Sequence, residues 1–470
     1  MVTCVVMVCA DACAETWAHE GYTKAGNWTL GGDIRVRPEW SENMSNMGYG
    51  KFGLWNDYRA CRERGRFWVK AEMDKKVSAY LRMTQEIRWG EDDSKGTPPL
   101  AGKEGRWAML LDNAWLQVTE PFDIPVSFRV GRQDLLYGQG FLIVDSDSVY
   151  NGDGSRTYFF DAAKGTILLK AISTNIDFLY IRSHQGGDWN TVTNDEDLFG
   201  TYITSDYAKV LKGEAYLLIR DQGQKRTESL WAAVPMGIVH PKRKVYTWGG
   251  RLSGKLTKNF SVAAEGAAQT GHINSIDEFV ITDSNGTHQY KQGRKGEVDI
   301  RAYGGYAQAS YSFTNLPLKP SLMAGYWFYS GDDPDKKTWG GFDDLFSQAP
   351  IHGEYYLYSH LDLLSSPDSD WDPFLWSNMH FPKFQFSIVP YENFKFVVTY
   401  LHMFAHMNDL TFTDTQGGKD RADYVETTLQ YTFSENLSAH VWYEWFIPGD
   451  YYSERAELGQ YGRFEIVAKF

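Results

Sequence analysis

The sequence predicts an all-β protein: a single transmembrane, antiparallel, up-and-down β-barrel of about 18 strands, with short periplasmic turns and long extracellular loops. Three observations lead to this prediction. The chain ends on an aromatic residue in an alternating strand pattern, many aromatic residues coexist with a hydrophilic average composition, and short alternating segments recur along most of the chain.

The C-terminal residues alternate between two faces. From Phe464 to Phe470, apolar side chains occupy one face, while Glu465 and Lys469 occupy the other, which is the period of an extended strand. A terminal Phe in such a pattern implies that the last residue is held in a sheet. A barrel requires this, because its final strand must pair with its first to leave no edge in lipid. A soluble β-sandwich that ends on Phe by chance is the alternative.

The composition favours the barrel. Aromatic residues make up 16% of the 470 residues, yet the mean hydropathy is −0.44. A soluble globule would bury so much aromatic area in a large apolar core, whereas a barrel combines an apolar lipid face, a polar lumen and aromatic girdles. The sequence has no run of about 18 apolar residues, which excludes a helical span. A net charge of −13 argues against nucleic acid as a partner, because such partners require a basic surface.

The N-terminal segment predicts secretion. Residues 1–14 have the character of a signal-peptide remnant, with a short apolar core at Val5 to Val8 and an A-x-A cleavage pattern at Ala12 to Ala14. Residues 15–470 are then the barrel domain, and we expect Sec-type export followed by insertion into the outer membrane of a Gram-negative cell. Asp11 and the absence of a basic segment leave two alternatives open: a start codon too far downstream, or an ordinary buried strand. Cys61 is then alone in the mature chain, so neither an intramolecular disulfide nor a Cys-based metal site is expected.

Strand patterns alternate with polar breaks from Trp28 onward. In the stretch from Val77 to Trp89, apolar residues share one face, and Arg82, Glu86 and Arg88 share the other. The stretch from Val126 to Val144 is also predicted as strand. Short breaks should face the periplasm and long ones the cell exterior. The short breaks are 74–76, 257–259 and 434–436, and the long ones are 91–105, 222–244, 271–299 and 331–382.

Two segments go beyond general barrel character. The first is RVGRQDLLYGQGF at Arg129 to Phe141, followed by RTYFFDA at Arg156 to Ala162. The second is YSGDDPD at Tyr329 to Asp335, followed by TWGGFDDLF at Thr338 to Phe346. Together with the terminal Phe470, these segments resemble the alginate-export family of outer-membrane barrels, in which a GRQ…YG.GFL strand precedes R.FDA and an SGD…D loop precedes F..LF. The resemblance extends from about Trp28 to Phe470.

The resemblance implies an eighteen-stranded monomeric barrel that passes an anionic polysaccharide through an arginine-lined constriction, partly covered by loops. The residues themselves leave the register near Gly131 open. Arg132 has the parity of Val130, whereas Arg129 has the parity of Gly131 and Gln133, so one set faces the lumen and the other does not. A bulge near Gly131 is one way to resolve the register.

Arginines at candidate lumen positions suit an anionic solute. Guanidinium groups pair with both oxygens of a carboxylate and keep their charge in a narrow pore, and rings of Arg or Lys select anions. The alternative role is that of scaffold, paired with carboxylates such as Glu72, Glu86 and Asp112. The candidate residues are Arg35, Arg37, Arg82, Arg88, Arg129, Arg132, Arg220 and Arg251.

Cofactor and catalytic sites are not predicted, with one open case. Asp332, Asp333 and Asp335 form an acidic loop that could hold a structural Ca²⁺, because hard cations take clustered carboxylates; an acidic surface turn is the alternative. Adjacent acids such as Asp343 and Asp344 are expected by chance among 60 acidic residues and do not indicate glycoside hydrolysis.

Aromatic residues in the predicted loops have two possible roles. They could stack on sugar rings, or they could form the extracellular girdle and anchor a plug loop inside the barrel. These residues are Trp339, Phe342, Trp371 and Trp376.

The predicted function is a passive outer-membrane pore without enzyme activity, through which an anionic polysaccharide or small anions diffuse past lumen arginines. Expected partners are outer-membrane lipid, the anionic solute, and the barrel-assembly machinery acting on the strand that ends at Phe470. Two other classes stay open. An outer-membrane hydrolase on a barrel would need a Ser-His or Asp-His cluster at the rim. A structural barrel that sheathes an electron-transfer protein would need a haem-bearing partner, because the chain has no C-x-x-C-H.

Overall fold

The structure is a computed structural model and describes most, but not all, of the chain. The described residues are 22–25, 27–43, 57–73, 76–89, 109–144, 159–183, 196–208, 210–223, 225–227, 238–240, 242–274, 278–283, 286–291, 296–333, 335–347, 351–356, 376–407, 417–452 and 456–470. The proposed cleavage point after residue 14 lies outside them.

These residues form twenty-five strands and very little helix. The strands are β1 (Tyr22–Ala25), β2 (Trp28–Glu42), β3 (Asp57–Glu72), β4 (Val77–Trp89), β5 (Met109–Thr119), β6 (Val126–Gln133), β7 (Ile143–Val144), β8 (Phe160–Leu169), β9 (Thr174–Ser183), β10 (Glu196–Ser205), β11 (Leu211–Gln222), β12 (Lys225–Thr227), β13 (Ile238–His240), β14 (Arg243–Lys255), β15 (Phe260–Asn274), β16 (Glu278–Asp283), β17 (Gly286–Lys291), β18 (Glu297–Ser312), β19 (Ser321–Tyr329), β20 (Phe346–Ser347), β21 (Met379–Tyr391), β22 (Phe394–Phe404), β23 (Asp420–Ser434), β24 (Leu437–Pro448) and β25 (Gly459–Lys469). Two single-turn 3-10 helices span Pro121–Asp123 and Lys170–Ile172. Among the described residues, no helix is long and apolar enough to cross a membrane.

Eighteen of these strands close into one antiparallel barrel, which confirms the predicted fold class. Each barrel strand pairs with the next one along the chain, and β25 pairs with β2 from Asp33↔Lys469 to Glu42↔Gln460. Phe470 completes the seam, because its carbonyl accepts from Gly32 N at 2.9 Å and its own N–H donates to Gly32 O at 3.0 Å. The terminal aromatic residue is therefore held in the sheet, as the sequence predicts. Outside the barrel, β1 folds back on β2, β12 pairs with β13, and β16 pairs with β17.

The connections between barrel strands differ in length at the two ends. At the end that holds Phe470, they contain between 2 and 8 residues, whereas at the opposite end they contain between 10 and 49 residues. This asymmetry matches the predicted short periplasmic turns and long extracellular loops.

Side chains alternate between an apolar outer face and a polar inner face. In β14, Arg251 and Ser253 are buried, whereas Trp248 and Leu252 are 53% and 58% exposed. Large apolar side chains that remain exposed on a strand are typical of a lipid-facing barrel surface. The buried parity therefore marks the interior.

The predicted strand from Val126 to Val144 is wrong in its second half. Strand β6 ends at Gln133, and the chain then turns into the barrel instead of extending above it. Two glycines make this turn possible, because Gly138 and Gly140 have φ values of 59° and 79°, a conformation that L-residues with a Cβ rarely adopt. We call residues 134–144 the first inward segment.

Two further segments lie inside the barrel. The second inward segment comprises residues 339–347 and the third comprises residues 351–356, both from the long connection between β19 and β21. Their position follows from their contacts, since Phe342, Phe346 and Tyr355 are buried among side chains of the interior wall. Strand β20 of the second segment pairs in parallel with β7 of the first, with Phe346 opposite Ile143.

Candidate functional site

Four neighbouring strands present a basic surface to the interior. We call it the basic wall and define it as the inward side chains of residues 461–467 of β25, 33–41 of β2, 62–68 of β3 and 80–86 of β4. Seven of these side chains are arginines and four are carboxylates, an excess of three positive charges. The arginines are Arg35, Arg37, Arg62, Arg64, Arg66, Arg82 and Arg463. The carboxylates are Asp33, Glu39, Glu86 and Glu465.

Carboxylates of these four strands pair with most of this arginine set. Arg37 Nε donates to Glu465 Oε2 at 2.6 Å, and Arg35 Nη2 donates to Glu86 Oε1 at 3.1 Å. Across the β2–β3 pair, Asp33 accepts from Arg64 at 3.2 Å and from Arg66 at 2.6 Å. Asp33 lies directly opposite Arg66, but Arg35 lies opposite Arg64. Arg64 therefore reaches Asp33 on a diagonal, and Arg35 reaches Glu86 on the strand beyond β3.

Arg82 connects the basic wall to the first inward segment. It donates to Asp112 Oδ2 at 2.8 Å and, with two nitrogens, to Asp134 at 2.8 and 3.0 Å. A register shift beside Arg82 in the β4–β5 pair leaves both Asp112 and Asn113 buried. Asn113 Nδ2 donates to Asp134 Oδ1 at 2.8 Å as well. Asp134, the first residue of the segment, is therefore fixed to the wall.

Arg251 lies beneath the same segment on the opposite side of the barrel. Its Nη1 donates to Glu214 Oε1 at 2.8 Å, and its Nε donates to Tyr306 Oη at 3.0 Å. Gly138 passes directly over this group: a Cβ at that position would lie 3.1 Å from Arg251 Cδ and 3.3 Å from Glu265 Oε2. The YG.GF motif thus contains a glycine where the backbone crosses closely packed polar side chains.

Arg220 and Arg243 bind the second inward segment through Asp343. Arg220 Nη1 donates to Asp343 Oδ1 at 2.6 Å, and Arg243 Nε lies 3.6 Å from Asp343 Oδ2. The backbone N–H of Asp343 donates to Gln269 Oε1 at 2.8 Å, and Gln269 Nε2 donates back to Asp343 O at 2.6 Å. Burial alone would raise the pKa of the Asp343 carboxyl, but the guanidinium groups of Arg220 and Arg243 outweigh it and hold the pKa below its ordinary value of 3.8.

The two motifs noted in the sequence meet inside the barrel. Phe346 N donates to Leu142 O at 2.9 Å, and the Phe141 ring lies 5.6 Å from the Phe342 ring, measured between centroids. Phe141 also stacks on Tyr329 of β19, with ring centroids 5.6 Å apart. These contacts join two segments that lie about two hundred residues apart in the chain. The two motifs therefore form one internal partition across the barrel.

The third inward segment is held by both backbone and side chain. Glu444 of β24 accepts from the N–H groups of Glu354 and Tyr355 at 2.9 and 2.7 Å, at the start of a helical turn. The Glu354 carboxylate in turn accepts from Arg463 Nη1 of the basic wall.

Four aromatic rings surround His352, three from β19 and β21 and the fourth from Trp376. Its Nε2 lies 3.0 Å from Tyr329 Oη, and its ring packs edge-to-face against Trp327, Trp376 and Phe381. Burial lowers the pKa of His352 well below its ordinary value of 6.5, so the imidazole is neutral at physiological pH. Phe342 and Trp376, two of the loop aromatics noted in the sequence, are fully buried here; Trp371 lies outside the described residues.

The remaining candidate arginines have different positions. Arg129 faces the interior, where its Nε donates to Gln117 Oε1 at 2.8 Å and its guanidinium lies 4.3 Å from the centre of the Trp115 ring. The predicted lumen position of Arg132 is wrong. Its side chain shares the outward parity of Val130, which is 59% exposed, and it pairs with Asp161 at 2.9 Å. The register needs no bulge at Gly131. The side chain of Arg88 lies outside the described residues.

The acidic loop shows turn contacts. Asp332 Oδ1 accepts from Gly340 N at 2.8 Å, Asp333 Oδ1 accepts from Asp335 N at 3.1 Å, and Asp333 Oδ2 lies 3.4 Å from Lys336 Nζ. Within the described part of the chain, no group of three or more His, Cys, Asp or Glu side chains is arranged to hold a metal ion. The Ca²⁺ site stays a prediction.

Several interior arginines escape the sequence reasoning. The missed residues are Arg62, Arg64, Arg66, Arg243, Arg421 and Arg463. The first three share one parity in the run CRERGR, so strict alternation would have placed them together on the inner face. Arg463 could have been found through its parity with Glu465 in the terminal strand.

The comparisons with known proteins agree with this geometry. The family model described as "Alginate export" matches residues 27–461, while a comparison with curated proteins found no match.

Similar solved structures include three barrels. A BenF-like porin from Pseudomonas fluorescens Pf-5 has 10% identity and a TM-score of 0.56, covering 95% of this chain and 99% of that chain. OccAB1 of Acinetobacter baumannii has 12% identity and a TM-score of 0.53, covering 94% and 96%. OccK3 (OpdO) of Pseudomonas aeruginosa has 10% identity and a TM-score of 0.52, covering 94% and 95%. At these identities the likeness shows the fold, and the family match adds support for an outer-membrane channel. The chain belongs to the alginate-export family.

Proposed function

We propose that this outer-membrane barrel carries an anionic polysaccharide or small anionic solutes along the basic wall. The observation that carries the proposal is the charge imbalance of the wall, where seven arginines face four carboxylates on the same strands. The remaining charge is balanced by acids outside the wall, notably Asp112 and Asp134 at Arg82 and Glu354 at Arg463. Without these three acids, the seven arginines and four carboxylates of the wall would form a surface suited to carboxylates.

The mechanism is diffusion with exchange of ion-pair partners. A planar guanidinium can pair with both oxygens of a carboxylate, so arginines in succession along the barrel can transfer a polyanion from one pair to the next. Several weak sites in series permit both entry and exit, which a single tight site would not. No covalent step and no cofactor is needed for this passage.

Ion selectivity in planar bilayers tests the proposal. The reversal potential under a KCl gradient gives the ratio of anion to cation permeability, and block by oligo-uronates reports binding of the larger solute. We expect anion preference for the native protein. Arg66→Gln and Arg129→Gln should lower it, because Arg66 has 17% of its side chain exposed and Arg129 is half-buried on the inner face.

Arg132→Gln is the matched control. It removes the same charge three residues from Arg129, but on the outward face of β6. Selectivity should be unchanged in this variant. Cation preference of the native channel, or an equal effect of the Arg129 and Arg132 substitutions, would refute the proposal. The expected monomeric state, the recognition of the Phe470 strand by assembly machinery and Sec-type secretion remain predictions.

A further inference from the structure

Two buried carboxylates lie directly opposite each other on the interior face of strands β23 and β24. The register of this strand pair places Glu426 opposite Glu444. Glu426 is 8% exposed and Glu444 is fully buried. Like charges in directly opposite positions destabilise a sheet, and two carboxylates that share one buried site do not readily ionise together. The pair therefore favours a state in which one of the two acids carries a proton.

Glu444 is the member of the pair that stays charged while the third inward segment is bound. Its carboxylate accepts from the N–H groups of Glu354 and Tyr355 at 2.9 and 2.7 Å. It also accepts from Tyr424 Oη and Trp442 Nε1, both at 2.6 Å. Because an ionised carboxylate only accepts hydrogen bonds, a proton on Glu444 would displace one of these four donors. The bound segment therefore requires the carboxylate form of Glu444.

Two charged groups besides Glu444 act on Glu426. The positive group is Lys383 of β21, and the negative group is Glu354 of the third inward segment. Lys383 Nζ also donates to Ile351 O of that segment at 3.0 Å. On the other side of Glu426, β22 presents the uncharged Thr399. The surroundings of Glu426 therefore include one cation, which has a second role in holding the segment.

The charges around the bound segment do not balance when every acid is ionised. Glu354 pairs with Arg463 of the basic wall. Among the described residues, this pairing leaves Glu426 and Glu444 with Lys383, which gives one excess negative charge in a buried position. An uncompensated buried charge is unfavourable. A proton on Glu426 removes the excess and leaves the contacts of Glu444 in place.

We propose that Glu426 and Glu444 form a proton-operated latch that holds the third inward segment inside the barrel. In the closed state, Glu444 binds the segment and Glu426 is protonated. As the pH rises, Glu426 loses its proton, the two carboxylates repel each other, and the segment is released. Release exposes both acids to water, where both ionise at a lower energetic cost. The latch concerns the opening of the channel and not the solute that it carries.

The open fraction of single channels, recorded in planar bilayers as a function of pH, tests the latch. One proton taken up on closure changes the ratio of open to closed channels by at most about tenfold per pH unit. We expect the native open fraction to rise between about pH 5 and about pH 9, the range that separates an ordinary glutamate from a buried one. The Asp343 contact persists throughout this range, because the pKa of Asp343 lies below 3.8.

Glutamine at the two positions should act in opposite directions. Glu426→Gln keeps the shape of a protonated glutamate, so this variant should stay closed and lose the pH response. Glu444→Gln removes the charge that accepts from the two N–H groups of the segment, so this variant should open more often at every pH. Glu435→Gln is the control, because Glu435 is exposed in the β23–β24 turn. It should retain the native pH response.

The opposite directions distinguish a latch from general damage to the fold, which would open the channel in both variants. A native open fraction that is constant or falls as the pH rises refutes the latch, and so does a native pH response in Glu426→Gln. Heat-modifiable migration in gels shows whether each variant folds. If Glu426→Gln does not fold, the native pH series and Glu444→Gln decide by the same criteria. Cation preference of the native channel would refute the proposed function and leave this inference intact.

Discussion

Replacing Arg82 with glutamine removes the charge that joins two carboxylates to the basic wall. Arg82 has 8% of its side chain exposed, Asp112 has 0% and Asp134 has 13%. Its guanidinium donates three hydrogen bonds to these acids within 3.0 Å. Breaking a buried pair by removing one partner typically costs about 3–5 kcal/mol, because the remaining charge is left uncompensated. We expect Arg82→Gln to lower the free energy of unfolding by an amount in this range.

Arg182 on the outer face offers a matched comparison. It pairs with Asp197 at 3.1 Å, but 45% of its side chain is exposed. Exposed pairs typically contribute about 0–1 kcal/mol, so Arg182→Gln should cost far less than Arg82→Gln. Both substitutions change the same atoms on a barrel strand, and they differ mainly in burial and in the number of acids left behind.

The measurement is equilibrium unfolding by urea of barrels refolded into lipid vesicles. Tryptophan fluorescence follows the transition, and heat-modifiable gel migration counts folded molecules at each urea concentration. If the Arg82 and Arg182 variants lose the same free energy within about 1 kcal/mol, the uncertainty expected of such comparisons, the reasoning from burial is refuted. Adding Asp134→Asn to Arg82→Gln should recover part of the loss, because it removes one uncompensated carboxylate.

Three further predictions concern the inward segments. Gly138→Ala should release the first inward segment and raise channel conductance. Alanine at a φ of 59° costs about 1–2 kcal/mol, and its Cβ would lie 3.1 Å from Arg251 Cδ. Unchanged single-channel conductance would contradict this prediction. The Asp343 contact should persist at neutral pH and be lost on acidification. Because the pKa of Asp343 in the folded protein lies below 3.8, the stabilisation by its ion pairs is fully present above pH 3.8 and disappears as the pH falls through that lower pKa. If channel opening depends on pH in the same way in the native protein and in Asp343→Asn, this prediction is contradicted. His352→Phe should destabilise the barrel by about 1 kcal/mol, because the hydrogen bond between His352 Nε2 and Tyr329 Oη at 3.0 Å is lost. The pH dependence of unfolding near pH 6.5 should not change, because burial already keeps His352 neutral there; loss of a transition near that pH would contradict this reasoning.

Much of the candidate site follows from alternation along the strands. In β4, the parity that places Leu81 outside places Arg82 inside, and a barrel with a lipid face permits no other arrangement. The same rule applied to β3 would have identified Arg62, Arg64 and Arg66. Near Gly131 the rule was insufficient, because glycine marks neither face and both neighbouring parities include an arginine.

The partners of these arginines could not be derived in the same way. Asp343 and Arg220 are separated by 123 residues, and nothing in the local pattern of either segment indicates that they meet. Their contact depends on the β19–β21 connection turning into the barrel, which loop length alone does not decide. A loop of the same composition could lie above the rim.

The sequence by itself determined the barrel, its closure at Phe470, its two unequal ends and the inner parity of most strands, because these follow from strand period and from the need to pair every edge in lipid. The tertiary structure decided which connections enter the lumen and which wall arginines their carboxylates occupy. That choice depends on long-range packing, such as Phe141 against Phe342 and Asp343 against Arg220. Such contacts join residues far apart in the chain, so no local sequence pattern specifies them.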